Sequence, residues 1–116
     1  MINIDNVRES YERIKSYLIE TPVVRSENLN KLLDSNIYLK NEVEQLTGSF
    51  KIRGALSALS NLKSKGTNGV VAYSSGNHAQ GVSKAAQIFD MHAIIVMPED
   101  APQNKIQKTK ANGAEV

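Results

Sequence analysis

The chain contains no cysteine among its 116 residues. This absence excludes disulfides, a thiolate nucleophile and cysteine-ligated zinc or iron–sulfur sites, and it favours a cytoplasmic protein. Long hydrophobic runs are missing too, because the longest, residues 93–97, is far too short to cross a bilayer. There is little excess charge, since 14 Lys+Arg against 12 Asp+Glu leave a net charge of +2. That balance gives no reason to expect nucleic acid or a membrane surface as a partner.

The residues that are present describe a globular domain. Hydrophobic residues make up 41% of the chain and charged residues 22%, and the length suits one compact unit. His92 has no second histidine or acid at metal-binding spacing, so we interpret it as structural and predict no metal site. Arg53 is expected to tie its helix to neighbouring backbone or to an acid.

The apolar spacing predicts alternating helices and strands. Helices are predicted over about residues 4–18, after a cap at Ser26, and over about 50–65, 77–89 and 102–111. Strands are predicted at 37–40, 69–73, 93–97 and from 114 onward. The second and third of these strands have so few polar residues that we expect both of their faces to be buried. The order predicts an α/β fold, a parallel sheet with helical crossovers.

The first candidate site is the turn of residues 48–51, where Lys51 falls in the first turn of a predicted helix. A helix N-terminus carries partial positive charge and favours a neutral amine over an ammonium. A Schiff-base or general-base lysine needs that neutral amine. On spacing alone, however, a surface lysine with its charge in water is the favoured interpretation.

The second candidate is the polar turn of residues 74–78, which lies between a strand and a helix. Two hydroxyls, a glycine and an amide above a helix N-terminus could bind a carboxylate or phosphate. The alternative is an ordinary helix cap, in which Ser or Asn accepts a backbone hydrogen bond and Gly76 forms the turn. Gly76 and Gly81 do not form a GxGxxG motif, so no dinucleotide site is predicted.

Two stretches identify a family. TGSFKIRGA (residues 47–55) and SSGNHAQG (residues 74–81) resemble the signature stretches of the threonine dehydratase and serine racemase family, the fold-type II pyridoxal-phosphate enzymes with a tryptophan synthase β-like fold. Residues 21–23 and 97–102 also resemble that family, and the likeness runs from about Ile14 to the last residue. Because two long motifs occur in the right order, we prefer the family resemblance to both simpler interpretations, the surface lysine and the ordinary helix cap.

The resemblance implies a pyridoxal 5'-phosphate site and an amino acid substrate, threonine or serine. It implies that Lys51 carries the cofactor and moves the Cα proton, that Phe50 packs against the pyridine ring and that Asn77 bonds the ring oxygen. The reaction would be β-elimination, which yields a 2-oxo acid and ammonia. The residues implied to bind the substrate carboxylate are Ser74, Ser75, Asn77 and His78.

Ser75 leaves two hypotheses open. In the family, a serine here can act as a second acid/base on the opposite cofactor face, as in the racemases, so serine racemisation beside dehydration is one hypothesis. The other is a hydroxyl that only binds the carboxylate. Cysteine-synthase-like β-replacement is a further branch of the fold, but residues 75–80 fit the dehydratases better.

The family's chains are roughly twice this length or more, in line with ordinary domain sizes. We therefore expect a truncated chain, with residues 1–68 starting a larger cofactor-bearing domain and 69–116 starting a smaller mobile one. The glycine-rich loop for the cofactor phosphate would lie outside these residues. We expect a homo-oligomer in the full-length form. The alternative is a short, non-catalytic remnant that binds a partner.

Overall fold

A computed structural model describes the whole chain, residues 1–116. The helices are α1 (Ile4–Ile14), α2 (Glu27–Leu33), α3 (Lys51–Ser64), α4 (Asn77–Ile88) and α5 (Gln103–Ala111). The strands are β1 (Val23–Arg25), β2 (Tyr38–Lys40), β3 (Gly69–Tyr73) and β4 (His92–Val96), and 3-10 turns cover Lys15–Tyr17 and Glu42–Glu44. None of the helices combines the length and the apolar character that crossing a membrane requires.

The first helix is shorter than its apolar spacing predicts. A capping box starts α1, because the Asn3 side chain accepts from the Asn6 N–H at 3.0 Å while the Asn6 side chain accepts in return. After Ile14 the chain tightens into the 3-10 turn, well before Pro22. Ile14 is the only buried residue of α1, which packs against α3.

A parallel sheet forms the second half of the chain, as predicted. β3 pairs with β4 in parallel from Gly69 opposite His92 to Tyr73 opposite Val96, and α4 makes the crossover. Glu115 adds a parallel bridge to Ile94 on the far side of β4, where a further strand is predicted to begin. The expected α/β arrangement is therefore confirmed.

The predicted strand at 37–40 does not join that sheet. It forms β2, which pairs antiparallel with β1, with Val23 opposite Lys40 and Arg25 opposite Tyr38. β1 was not predicted, because three residues directly after Pro22 are too few to show an alternating pattern. The carbonyl of Pro22 extends the pairing by accepting from the Asn41 N–H at 2.9 Å.

The expectation that β3 and β4 are buried on both faces is wrong for this structure. Ala93 and Ile95 of β4 point under α4 and are buried. On the opposite face Val71 and Tyr73 are 69% and 72% exposed, because only one helical layer packs on this sheet. A run of apolar residues predicts a buried strand, but it does not state which layers of the protein cover it.

The core lies where α3 packs against α4 and the sheet. Its 13 buried residues come from both sides of the predicted division at residues 68 and 69, and that division stays a prediction. They are Ile14, Ile52, Ala55, Leu56, Leu59, Ala79, Val82, Ala85, Ala86, Met91, Ala93, Ile95 and Ala114.

Candidate active site

Lys51 is the first residue of α3 and follows a sharp turn. Gly48 adopts a left-handed backbone conformation with φ of 70°, which glycine reaches without strain, and its N–H donates to the Gln45 carbonyl at 2.6 Å. Phe50 occupies the N-cap position and offers no capping side chain. The Lys51 Nζ lies 5.1 Å from the centre of the exposed Phe50 ring. The lysine amine therefore lies beside an aromatic ring and outside the core.

The second candidate turn connects β3 to α4. The Ser74 N–H donates to the Val96 carbonyl at 3.1 Å, and the Gly76 N–H donates to Ser74 Oγ at 3.3 Å. Gly76 is the N-cap of α4, and no side chain hydrogen-bonds to the first turn of that helix. The alternative of an ordinary Ser or Asn cap is thus not what the structure contains. The first-turn N–H groups stay available to an external acceptor.

The two helix N-termini approach each other closely through Gly81 of α4. A Cβ atom placed on Gly81 would lie 3.2 Å from the Lys51 carbonyl carbon and 3.3 Å from the Ile52 nitrogen. A side chain here would require the neighbouring backbone to shift by a few tenths of an ångström, so glycine suits this close approach. The sequence did not single out this role of Gly81, because it depends on a contact between helices.

A cleft of about 530 Å³ brings part of the predicted site together. Phe50, Lys51 and His78 line it, together with residues 70–72 of β3. Ser74, Ser75 and Asn77 are not among its lining residues. Ser74 and Ser75 are half-buried residues in the turn that follows β3, while Asn77 is an exposed residue at the start of α4.

An ion pair lies two residues beyond Lys51. Arg53 donates from Nε to Glu42 Oε2 and from its terminal nitrogen to Glu42 Oε1, both at 2.7 Å. These bonds lower the pKa of Glu42 to about 2, helped by the Thr21 hydroxyl, which donates to Oε1 at 2.6 Å. The expectation that Arg53 binds an acid is confirmed. The sequence does not show which acid Arg53 binds, because Glu42 precedes Arg53 by 11 residues and local spacing does not connect them.

His92 makes a contact of a different kind, and it is not among the residues that line the cleft. Its Nε2 lies 2.7 Å from Glu115 Oε1, and both side chains are more than half exposed. No group of three or more His, Cys, Asp or Glu residues is placed to hold a metal ion.

The residues around Lys51 fit the cofactor that the resemblance implies. Thr47 Oγ1 and Ser49 Oγ are buried without a hydrogen-bond partner, which leaves polar groups unsatisfied just before the lysine. A primary amine, an aromatic face and two uncapped helix N-termini suit an aldehyde on a planar ring that also carries negative charge.

Comparison with known proteins gives consistent matches. A family model described as "Pyridoxal-phosphate dependent enzyme" matches residues 14–116. L-threo-3-hydroxyaspartate ammonia-lyase of Saccharomyces cerevisiae is 46% identical over 112 residues, 96% of this chain and 34% of that protein. L-threonine ammonia-lyase of Thermotoga maritima is 46% identical over 117 residues, 100% of this chain and 29% of that protein.

A solved structure also matches. The crystal structure of serine racemase from Dictyostelium discoideum superposes with a TM-score of 0.93 at 38% identity, over 99% of this chain and 38% of that one. The chain thus spans about a third of the length of the relatives it matches. The predicted cofactor and the fold-type II architecture are both confirmed at the level of the family. The chain belongs to the pyridoxal-phosphate dependent enzyme family.

Proposed function

We propose that this chain forms the lysine-bearing part of an ammonia-lyase that acts on threonine or serine. In the net reaction the substrate loses its Cα proton and β-hydroxyl as water, and water then replaces nitrogen, so the products are a 2-oxo acid and ammonia. The single observation that carries the proposal is the approach of two uncapped helix N-termini, one bearing Lys51 and the other following the serine turn.

Three residues would hold the cofactor. Lys51 would bind it through the amine, the Phe50 ring would pack against its ring, and the Asn77 amide would donate to its ring oxygen. Pyridoxal phosphate, when bound, supplies an electron sink for the electrons released at Cα. The amine of Lys51 would take the Cα proton, which leaves with the β-hydroxyl as water in the net reaction, since a side chain at the first turn of a rigid helix can be held within reach of that carbon.

The turn between β3 and α4 would bind the substrate carboxylate. Its residues Ser74 and Ser75 are half-buried and carry hydroxyls, and the first-turn N–H groups of α4 add donors and partial positive charge. A Cβ on Gly76 would meet nothing within 4 Å, so there is open space for a ligand at this N-cap. The groups proposed for the carboxylate are Ser74, Ser75, Asn77 and His78.

The chemistry is tested by product formation. The chain, and any longer form that its gene encodes, is incubated with pyridoxal phosphate and with L-threonine, L-serine or L-threo-3-hydroxyaspartate, and 2-oxo acid release is followed. We expect release from threonine or serine, and Lys51→Ala should lower it at least 1000-fold. Lys65→Ala, at the other end of α3, serves as the matched control and should retain the wild-type rate. No release from any substrate in the longest form would contradict the proposal.

Serine racemisation is the second candidate function, and the half-buried position of Ser75 in the turn before α4 supports it. Ser75→Ala separates the two roles. As an acid/base, Ser75 should be required for D-serine formation, while 2-oxo acid release continues. If Ser75 only binds the carboxylate, the variant should raise KM for both reactions in the same proportion. Unchanged racemisation in Ser75→Ala would exclude the acid/base role.

A further inference from the structure

The helix that carries Lys51 has no capping side chain at its start. Most helices begin with a side chain that accepts from a first-turn N–H, yet Phe50 at the N-cap of α3 has no such group. The first turn keeps one local bond, from the Arg53 N–H to the Phe50 carbonyl at 3.0 Å. The N-cap side chain therefore does not help to hold the start of α3.

The cluster of Thr21, Glu42 and Arg53 connects the start of α3 to other parts of the chain. The carboxylate of Glu42 accepts two bonds from the Arg53 guanidinium and one from the Thr21 hydroxyl, all at 2.6–2.7 Å. Thr21 is only 2% exposed, and the Glu42 side chain is 16% exposed. Charge-assisted bidentate pairs of this kind fix orientation as well as distance.

A second tie holds the segment that leads from Glu42 to Lys51. The buried side chain of Gln45 bonds both polar groups of the Ile19 backbone, accepting from its N–H at 3.0 Å and donating to its carbonyl at 2.8 Å. The Lys40 Nζ donates to the Thr21 carbonyl at 2.5 Å. The start of α3 is thereby joined to the segment between α1 and β1 at several points.

We propose that Glu42 is a positioning residue for Lys51: through Arg53 it holds the first turn of α3 against the segment at Thr21. The inference rests on the proposed function of Lys51, whose amine must stay beside the reacting carbon. Arg53 is two residues from Lys51 on the same turn, so a guanidinium fixed at one point leaves the lysine backbone little freedom. Glu42 itself does not line the cleft.

Local hydrogen exchange tests the inference without any cofactor. Glu42→Gln removes the charge, and Glu44→Gln on the same 3-10 turn is the matched control, because Glu44 is exposed and bonds only the Asn41 side chain. We expect the Arg53 N–H to exchange at least tenfold faster in Glu42→Gln and less than twofold faster in the control. The Gly66 N–H, which donates to the Lys63 carbonyl at the other end of α3, should not change in either variant.

Labelling then connects the cluster of Thr21, Glu42 and Arg53 to Lys51. Each variant is treated with pyridoxal phosphate and borohydride, and the share of label on Lys51 among all lysines is measured by peptide mass. We expect that share to fall at least fivefold in Glu42→Gln, and Glu42→Asp, which keeps the charge, should recover at least half of it. Labelling that falls equally on every lysine would indicate general loss of structure.

Several outcomes would overturn the inference. If hydrogen exchange became faster to the same extent at the Arg53 and Gly66 amides, Glu42 would contribute to overall stability only. A faster Arg53 amide with an unchanged Lys51 share, or no change in either measurement, would also contradict it. Absence of preferential Lys51 labelling in the wild-type chain would contradict the proposed function, and the positioning role would fall with it. A failure of the positioning role alone would leave the preferential labelling of Lys51 in the wild-type chain intact.

Discussion

Replacing Gly81 by valine should force apart the two helices that form the candidate site. A Cβ at this position would lie 3.2 Å from the Lys51 carbonyl carbon and 3.3 Å from two further backbone atoms of Lys51 and Ile52. These contacts are below ordinary van der Waals separation. The neighbours are helix backbone atoms, which cannot move aside by a change of side-chain rotamer. Overpacking of this kind costs about 2 kcal/mol, and valine returns only a few tenths through its better helix propensity.

A second glycine provides the control for this experiment. Gly54 lies inside α3, where an added Cβ would meet nothing within 4 Å. Gly54→Val should therefore leave the free energy of unfolding within about 0.5 kcal/mol of the wild type, because it changes helix propensity without a clash.

The assay is urea unfolding followed by circular dichroism, together with the share of pyridoxal-phosphate label on Lys51. Gly81→Val should lower the unfolding midpoint and the Lys51 share, while Gly54→Val should leave the unfolding midpoint unchanged. Equal stability of the two variants, or a Gly81→Val variant as stable as the wild type, would refute the claim that close backbone contact positions α3 against α4.

Three further predictions concern stability. The pKa of Glu42 falls from 4.5 to about 2 in the folded chain, so its pairing stabilises the fold above pH 4.5 and this contribution is lost as the pH falls towards 2. Because the pair is partly exposed, we expect about 1–2 kcal/mol, and urea titrations at pH 2–6 should show a flatter profile in Glu42→Gln. Gln45→Leu leaves two backbone groups of Ile19 without partners and should cost about 2 kcal/mol in urea unfolding at pH 7. Leu56→Ala empties a fully buried position and should cost about 3 kcal/mol, measured in the same way.

The elements that local pattern decides could be predicted from the sequence. The apolar stripe of α3 includes Ile52 and Leu56, both of which are fully buried. Ser26 accepts from the Leu29 N–H at 3.3 Å, as its predicted cap role requires. Pro102 starts α5 and Glu115 pairs with β4, again as predicted. Each of these features depends on residues within one or two helical turns of one another, or on the order of the elements.

The features that were missed depend on distant partners. The strand β1 forms because Val23 and Arg25 pair with residues of β2 about 15 positions later in the chain. Three residues are too few to predict such pairing from their own sequence. The partner of Arg53 has no helical or strand spacing to reveal it. Burial of β3 was overestimated because an apolar sequence describes what a strand could bury, while exposure depends on the layers that pack on it.

The central claim is that Lys51 is the lysine prepared for pyridoxal phosphate. The most direct measurement is the intact mass and peptide map of the chain after incubation with pyridoxal phosphate and reduction with borohydride. The account predicts one dominant phosphopyridoxyl group, attached to Lys51 and absent in Lys51→Ala, with little label on Lys65. Label spread over the exposed lysines in proportion to their accessibility, with no preference for Lys51, would contradict it.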